Sequence, residues 1–145
     1  MKLEYALLNI DEKEYWFNYD INYTKVDLTN LKYKFATNIQ INQEKEEIVL
    51  SITVYISSPN DDVDYMRNGA RAVFRVKPFN EIVQTVDNDK FNVNVPNLIE
   101  TFVSATLGAI RGLMVKNLKG TPLNSLILPL IPMEEIKKMV KITNK

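Results

Sequence analysis

Residues 31–56 read LKYKFATNIQINQEKEEIVLSITVYI, and their alternation of apolar and polar side chains decides the fold. Between Leu31 and Ile41 the apolar residues fall mainly on odd positions, and between Ile48 and Ile56 they fall on even positions. A period of two is typical of β-strands with one buried face. The polar residues 43–46 that separate the two runs are too few for a crossover connection. The stretch therefore predicts an antiparallel β-hairpin.

Further strands are predicted on both sides of this hairpin. In residues 70–77 the apolar side chains again alternate with polar ones, which places Arg71, Arg75 and Lys77 on the face opposite to the core. Alternation in residues 3–7 predicts an earlier strand close to the N-terminus.

Two segments between these strands do not follow a strand pattern. Residues 57–69 are rich in Pro, Asn and Asp and are interpreted as a loop. The aromatic segment Tyr15–Tyr23 has no clear period. It is compatible with an extension of the first strand or with a loop that packs on the sheet.

The second half of the chain changes to a helical pattern. Apolar residues recur every three or four positions over Leu98–Met114, which predicts a long helix with one buried face. Asn97, with Glu100 three residues later, has the spacing of an N-terminal capping box. Gly120 and the following Pro122 predict where the helix ends.

A last short helix is predicted after Pro132, because proline is tolerated in a first helical turn. Glu134 and Glu135 near its start, and lysines after them, suit the helix dipole. Strands come first and helices last in this chain. We therefore predict a single α+β domain over residues 1–145, with helices on one face of an antiparallel sheet.

Composition restricts the classes of function. The 145 residues are 46% hydrophobic, which suffices for a core, and 18 basic residues balance 18 acidic ones. Zero net charge gives no electrostatic case for nucleic acid or an anionic membrane as a partner, and it favours an oligomer.

The apolar run 102–115 contains Arg111 and is shorter than the ~20 residues that cross a bilayer, so it predicts a buried helix. The absence of Cys and of a signal-peptide pattern is compatible with a cytoplasmic location.

The sequence offers no catalytic constellation, and we expect a protein that is not an enzyme. It has no His to act as a base near neutral pH, no Cys nucleophile and only 4 Gly, none of them in a phosphate-binding loop. Asp61, Asp62 and Asp64 lack the further oxygen ligands and the turning Gly of a calcium loop, so we interpret them as a solvated loop. No metal site and no cofactor are predicted.

Small residues form a second face on the long helix. Ser104, Gly108 and Gly112 recur every four residues. Each Gly inside a helix costs about 1 kcal/mol relative to Ala, so a packing reason is expected. Small side chains allow close approach either by a helix of another subunit or by the chain's own sheet, and both alternatives stay open. The predicted oligomer interface consists of Ser104, Ala105, Gly108, Arg111 and Gly112.

The segment Leu123–Pro132, called the strap below, is strongly apolar. Pro129 and Pro132 lack backbone donors, so the strap is not expected to be a central strand. An extended apolar segment without strand partners makes a good wall for a groove. The alternative is that some of its leucines and isoleucines close the core.

Several of these features together resemble the SecB export chaperone and SecB-like proteins, chiefly in the C-terminal half of the chain. The resemblance rests on Pro96–Ile99, which opens the long helix, on Gly120–Pro122, which closes it, and on Leu126–Pro129 in the strap. The strand at 70–77 and the Pro78–Phe79 pair agree in order. The resemblance implies a four-stranded antiparallel sheet with a long helix and a short C-terminal helix. It also implies a homotetramer, a dimer of dimers, with the long helices at the central interface.

Members of that family hold unfolded polypeptides in apolar grooves without ATP. The resemblance therefore predicts an ATP-independent holdase chaperone, acting in protein export or on a specific client such as an antitoxin. The candidate groove residues are Phe79, Ile82, Val83, Leu126, Leu128, Leu130, Ile131 and Met133.

Two further hypotheses differ from the chaperone in what the protein binds. One is a dedicated adaptor that recognises a single protein partner through the same surface, and the other is a small-molecule carrier with a pocket between sheet and helix.

In the export chaperone the outer sheet face is acidic and docks the translocase motor. Here the corresponding face carries Lys32, Lys34, Arg71, Arg75 and Lys77 and is basic, which weakens the expectation of that partner.

Overall fold

The computed structural model describes residues 2–86 and 90–143. Its main sheet is four-stranded and antiparallel, in the order β1-β4-β3-β2. The strands are β1 (Glu4–Phe17), β2 (Lys32–Asn42), β3 (Glu47–Ser57) and β4 (Asp64–Lys77). They are followed by α1 (Phe79–Ile82), the hairpin of β5 (Val83–Thr85) and β6 (Phe91–Val93), α2 (Leu98–Asn117) and α3 (Met133–Thr143). The predicted α+β fold, with a long helix and a short C-terminal helix, is confirmed.

The hairpin predicted from residues 31–56 is confirmed in register. β2 and β3 pair from Lys32 opposite Ser57 to Asn42 opposite Glu47. Glu46 takes a left-handed conformation with φ of 57° in the turn between them. The even-numbered apolar residues of β3 are buried beneath the helices: Ile48, Leu50, Ile52, Val54 and Ile56.

β4 begins at Asp64, so the loop predicted over 57–69 is wrong in its second half. Asn68 explains the difference, because it is a polar residue on the core side of the strand and is 0% exposed. Its amide nitrogen donates to Glu12 Oε2 at 2.9 Å, and its amide oxygen accepts from Asn117 Nδ2 at 3.0 Å. A buried polar side chain is tolerated when its hydrogen bonds are satisfied. Those partners are distant in sequence, so a local pattern does not reveal them.

The aromatic segment Tyr15–Tyr23 divides between the two predicted alternatives. β1 continues to Phe17, so the first part of the segment extends the strand. The rest forms a loop that leads into a short 3-10 helix, Tyr23–Lys25. The ring of Tyr23 lies 5.4 Å from that of Phe17 and 5.5 Å from that of Tyr65, so the loop packs on the end of the sheet.

α2 lies across the sheet and supplies much of the core. The Phe102 ring stacks on the Phe74 ring of β4 at 4.0 Å with an interplanar angle of 6°. By length and composition α2 could cross a membrane, with a mean hydropathy of 1.5, although core helices of globular proteins pass the same test. Its apolar face packs on the sheet, as the sequence predicts. The buried residues of α2 are Leu98, Ile99, Phe102, Val103, Thr106, Leu107, Ile110 and Met114.

The two ends of α2 compare differently with prediction. The helix begins at Leu98 as expected, but the predicted capping box is wrong. Asn97 has a φ of 65°, and its side chain makes no capping hydrogen bond. Its carbonyl instead accepts from the backbone nitrogen of Thr101 at 3.0 Å and from the Thr101 hydroxyl at 2.8 Å. At the other end Gly120 has a φ of 80°, the left-handed conformation expected of a helix-terminating glycine.

Candidate polypeptide-binding surface

The strap runs from α2 to α3 and alternates between buried and exposed side chains. Leu126 and Leu128 point into the core and are nearly fully buried. Between and beyond them, Ile127 is 61% exposed and Leu130 is 84% exposed. Such exposure of a large apolar side chain on an anchored segment is unfavourable in water. The exposed part of the strap around Leu130, called the strap apex below, is therefore a candidate contact surface.

Arg111 of α2 holds this segment in place. Its Nε donates to the Leu128 carbonyl at 2.7 Å, and its Nη2 donates to the Pro129 carbonyl at 3.0 Å. A strap without a strand partner leaves its carbonyls without backbone donors, and a guanidinium can serve two acceptors at once. Leu128 below and Arg111 beside the strap therefore fix the position of Leu130.

The structure divides the candidate groove residues into two sets. Phe79, Ile82, Val83, Leu126 and Leu128 lie in the core, so the exposure expected of them is corrected. They close the space between the sheet, α1 and the strap.

The remaining candidates stay accessible and lie together at the end of the strap. Leu130 is the most exposed of them, Met133 at the start of α3 is 45% exposed, and Ile131 between them is half-buried. Contact between a polypeptide and these three residues stays a prediction.

The predicted interface residues of α2 also divide. Ser104, Ala105, Gly108 and Gly112 are exposed and form what is called the outer face of α2 below. A Cβ atom added to Gly112 would meet no atom within 4 Å, and one added to Gly108 would meet only Arg111 Nη1 at 3.9 Å. The glycines therefore do not serve close packing on the chain's own sheet. Arg111 differs from the others, because its guanidinium is engaged by the strap.

An aromatic patch near the end of β1 was not among the predicted site residues. Tyr19 is 74% exposed, and its ring lies 4.7 Å from that of Phe17. The Trp16 ring lies on the opposite face of β1, where the Arg67 guanidinium covers it at 4.9 Å. Burial raises the pKa of Tyr23 to about 12, with a smaller contribution from Tyr65, so the base of the patch stays uncharged. The signal in the sequence that could have indicated this patch is the high density of aromatic residues over Tyr15–Tyr23.

A depression, called the sheet-end cleft below, lies between the end of β2 and the β5–β6 hairpin. Its volume is about 780 Å³. The residues that line it are Ile39, Gln40, Ile41, Asn42, Gln43, Glu44, Val49, Arg71, Thr85, Lys90 and Phe91.

The acidic loop, which contains Asp61, Asp62 and Asp64, forms ion pairs with lysines of the sheet. Asp62 pairs with Lys32 at 3.4 Å, and Asp64 pairs with Lys34 at 3.4 Å and accepts from the Ser57 hydroxyl at 2.7 Å. Within residues 2–86 and 90–143, no cluster of acidic side chains has the geometry to hold a metal ion. The described carboxylates of this loop therefore neutralise part of the basic sheet face.

Comparison with known proteins identifies the fold. No protein-family model and no curated protein sequence matches the chain. Among solved structures, the chain is similar to the SecB-like chaperone Rv1957 of Mycobacterium tuberculosis, solved in complex with a ChAD peptide from the Rv1956 HigA1 antitoxin. The TM-score is 0.58 at 12% identity, over 88% of this chain and 90% of that chain. The chain has a SecB-like fold. At this level of identity the likeness establishes the architecture alone.

Proposed function

We propose that the chain is an ATP-independent holdase chaperone that binds non-native polypeptide segments at the strap. The observation that carries the proposal is the position of Leu130, which is 84% exposed on a segment pinned by Arg111 and by the buried Leu128. Ile127 and Met133 enlarge the apolar area around it. An exposed apolar surface on a fixed support binds apolar side chains of a partner without needing catalytic groups.

The structural neighbour supports a polypeptide as the ligand. That protein was solved with a peptide from an antitoxin. An architecture that presents a peptide-binding surface in one chaperone is compatible with the same use of the strap here. We propose a cytoplasmic chaperone that acts in export or on a specific client such as an antitoxin.

We further propose that the active form is a homotetramer, a dimer of dimers, joined through the outer face of α2. Ser104, Ala105, Gly108 and Gly112 are exposed, and space is open above both glycines. Small side chains at four-residue spacing allow a second helix to approach closely. A helix from another subunit would bury this face.

The proposal is tested by the aggregation of an unfolded client, such as a reduced secretory protein, in the presence of an equal molar amount of the chaperone. We expect the wild type to slow light scattering and Leu130→Ser to lose most of the effect. Val63→Ser is the matched control, because Val63 is also an exposed apolar residue, at 38%, but lies outside both the strap and the sheet-end cleft. Failure of the wild type to slow aggregation of any client would refute general holdase activity.

A dedicated adaptor with one protein partner is the second candidate. It is favoured by the neighbour's complex with a peptide from one particular antitoxin. Affinity capture followed by mass spectrometry separates the two, because an adaptor retains a single partner stoichiometrically and does not slow the aggregation of unrelated clients.

A further inference from the structure

The sheet-end cleft combines an apolar floor with polar and cationic walls. Ile39 and Ile41 line it from the helix-covered face of the sheet, Val49 lines it from the outer face, and Phe91 of the hairpin is half-buried at its side. The charged residues at its wall are Arg71 and Lys90, with Glu44 as the carboxylate. Such a lining suits a ligand that carries both an apolar group and an anionic group.

The backbone next to the cleft is an open sheet edge. β2 is a terminal strand of the four-stranded sheet, so one side of its backbone has no strand neighbour among the described residues. The β5–β6 hairpin lies beside the end of β2 and is attached to it by a hydrogen bond from Gln43 Nε2 to Thr85 Oγ1 at 2.6 Å. An extended peptide can add to such an edge by main-chain hydrogen bonds, while pockets select its alternate side chains.

The two ends of the outer sheet face differ in how their cations are neutralised. At the end near the acidic loop, Arg67 pairs with Glu14 at 3.1 Å. Lys32 and Lys34 there pair with aspartates. Farther along β4, Arg71 is half-buried beside Val49. Asp11 of β1 lies opposite Arg71 in the sheet, but none of the described carboxylates is within ion-pair distance of its guanidinium. A guanidinium that is partly removed from water and lacks a partner favours an incoming anion.

We infer that the sheet-end cleft binds an extended acidic polypeptide segment in which carboxylate and apolar side chains alternate. The segment lies along the edge of β2. Its carboxylates lie on the outer face of the sheet and pair with Arg71 and Lys90, and its apolar side chains point to the opposite, helix-covered face and pack on Ile41 and Phe91. The inference rests on the proposed polypeptide binding and adds to it a class of segment and a second site, away from the strap.

The test uses two fluorescein-labelled probes, a peptide of alternating Glu and Val and its counterpart of alternating Lys and Val, with the full-length protein in anisotropy titrations. We expect the Glu peptide to bind at least about tenfold more tightly than the Lys peptide. Arg71→Gln is expected to weaken Glu-peptide binding roughly tenfold. N-methylation of alternate amides of the Glu peptide should abolish binding, since it removes main-chain donors.

Arg75→Gln is the matched control. Arg75 lies on the same strand and the same face as Arg71, is exposed and does not line the cleft. It should change the affinity for the Glu peptide by less than about twofold. Circular dichroism and native mass of both variants should equal those of the wild type.

Several outcomes would overturn the inference. They are equal affinity for both peptides, an equal loss in the two arginine variants, or tighter binding of a single-stranded oligonucleotide of the same charge.

The strap variant Leu130→Ser should keep its affinity for the Glu peptide. If the wild type slows client aggregation but does not bind the Glu peptide, only the cleft inference fails. If it binds the Glu peptide but slows no aggregation, the holdase proposal fails and the cleft remains an acidic-peptide site.

Discussion

The strap and the outer face of α2 are neighbours in sequence and in space, but they offer very different surfaces. The strap presents large branched side chains, with Leu130 and Ile127 mostly in solvent. The outer face of α2 presents Ser104, Gly108 and Gly112, above which there is open space. Both surfaces lack a partner within the described chain.

The difference indicates two kinds of partner. A large side chain buries enough apolar area to stabilise a complex by itself, so it can accept irregular and varied polypeptides. A small side chain contributes to the free energy of binding only when a rigid surface of fixed shape, such as another helix, approaches it closely. We therefore expect client binding and assembly to be separable by mutation, and Arg111 is the residue that joins the two surfaces.

The largest expected effect is on client affinity at the strap apex. Leu130→Ser should weaken client binding roughly 10- to 100-fold, since burying a leucine contributes about 1.5–3 kcal/mol. Its free energy of unfolding should stay within about 0.5 kcal/mol of the wild type, because the side chain packs on little in the free protein. Titration of a labelled unfolded client, with urea unfolding as the control, measures both. An unchanged affinity would show that clients bind elsewhere.

The second prediction concerns Arg111. Arg111→Ala removes two hydrogen bonds to strap carbonyls and should lower the free energy of unfolding by about 1–3 kcal/mol. The strap should become accessible to limited proteolysis, while native mass stays that of the wild type. Arg111→Lys should restore only part of the stability, because an ammonium group does not reproduce the fork of a guanidinium. Loss of assembly with an intact strap would return Arg111 to the interface that the sequence predicts.

The third prediction concerns the glycines of α2. In an isolated subunit Gly108→Ala and Gly112→Ala should each raise the free energy of unfolding by up to about 1 kcal/mol, since space is available for a Cβ atom. If a partner helix occupies that space, the same changes should lower the native mass of the assembly. Native mass spectrometry and urea unfolding of the double variant give the two readings. Ser104→Ala, which does not enlarge the side chain, should leave the mass unchanged, and a double variant with wild-type mass would refute close helix packing at this face.

The smallest effect is a dependence on alkaline pH. Burial raises the pKa of Tyr23 to about 12 in the folded protein, above the ordinary value of 10.0. A raised pKa means that the stabilisation is complete below pH 10 and is lost as pH rises towards about 12. Burial also raises the pKa values of Tyr15 and Tyr33, in the same direction.

Tyr23→Phe should therefore flatten the fall in urea midpoint above pH 10, although it also loses a hydrogen bond to the Asn18 carbonyl. Tyr5→Phe is the matched control, because Tyr5 is 51% exposed and lies outside the group of tyrosines around Tyr23. An equally steep fall in Tyr23→Phe and the wild type would contradict the assignment.

Much of the fold follows from local pattern. The hairpin at 31–56, the buried face of α2 and the left-handed Gly120 were predictable because each depends on neighbours within a few positions. The errors have non-local causes. Asn68 is polar but buried, since Glu12 and Asn117 satisfy it, and the capping box at Asn97 is replaced by a left-handed residue.

The sequence by itself determined that the strap is apolar, that it cannot pair as a central strand and that α2 has a face of small residues. Only the tertiary structure decided which strap leucines face inward, that Arg111 binds the strap, and that Arg71 reaches a cleft beside the β5–β6 hairpin. The physical reason is the range of the interactions. Side-chain period and missing backbone donors are properties of adjacent residues, whereas exposure and ion pairing depend on which distant segments meet in space.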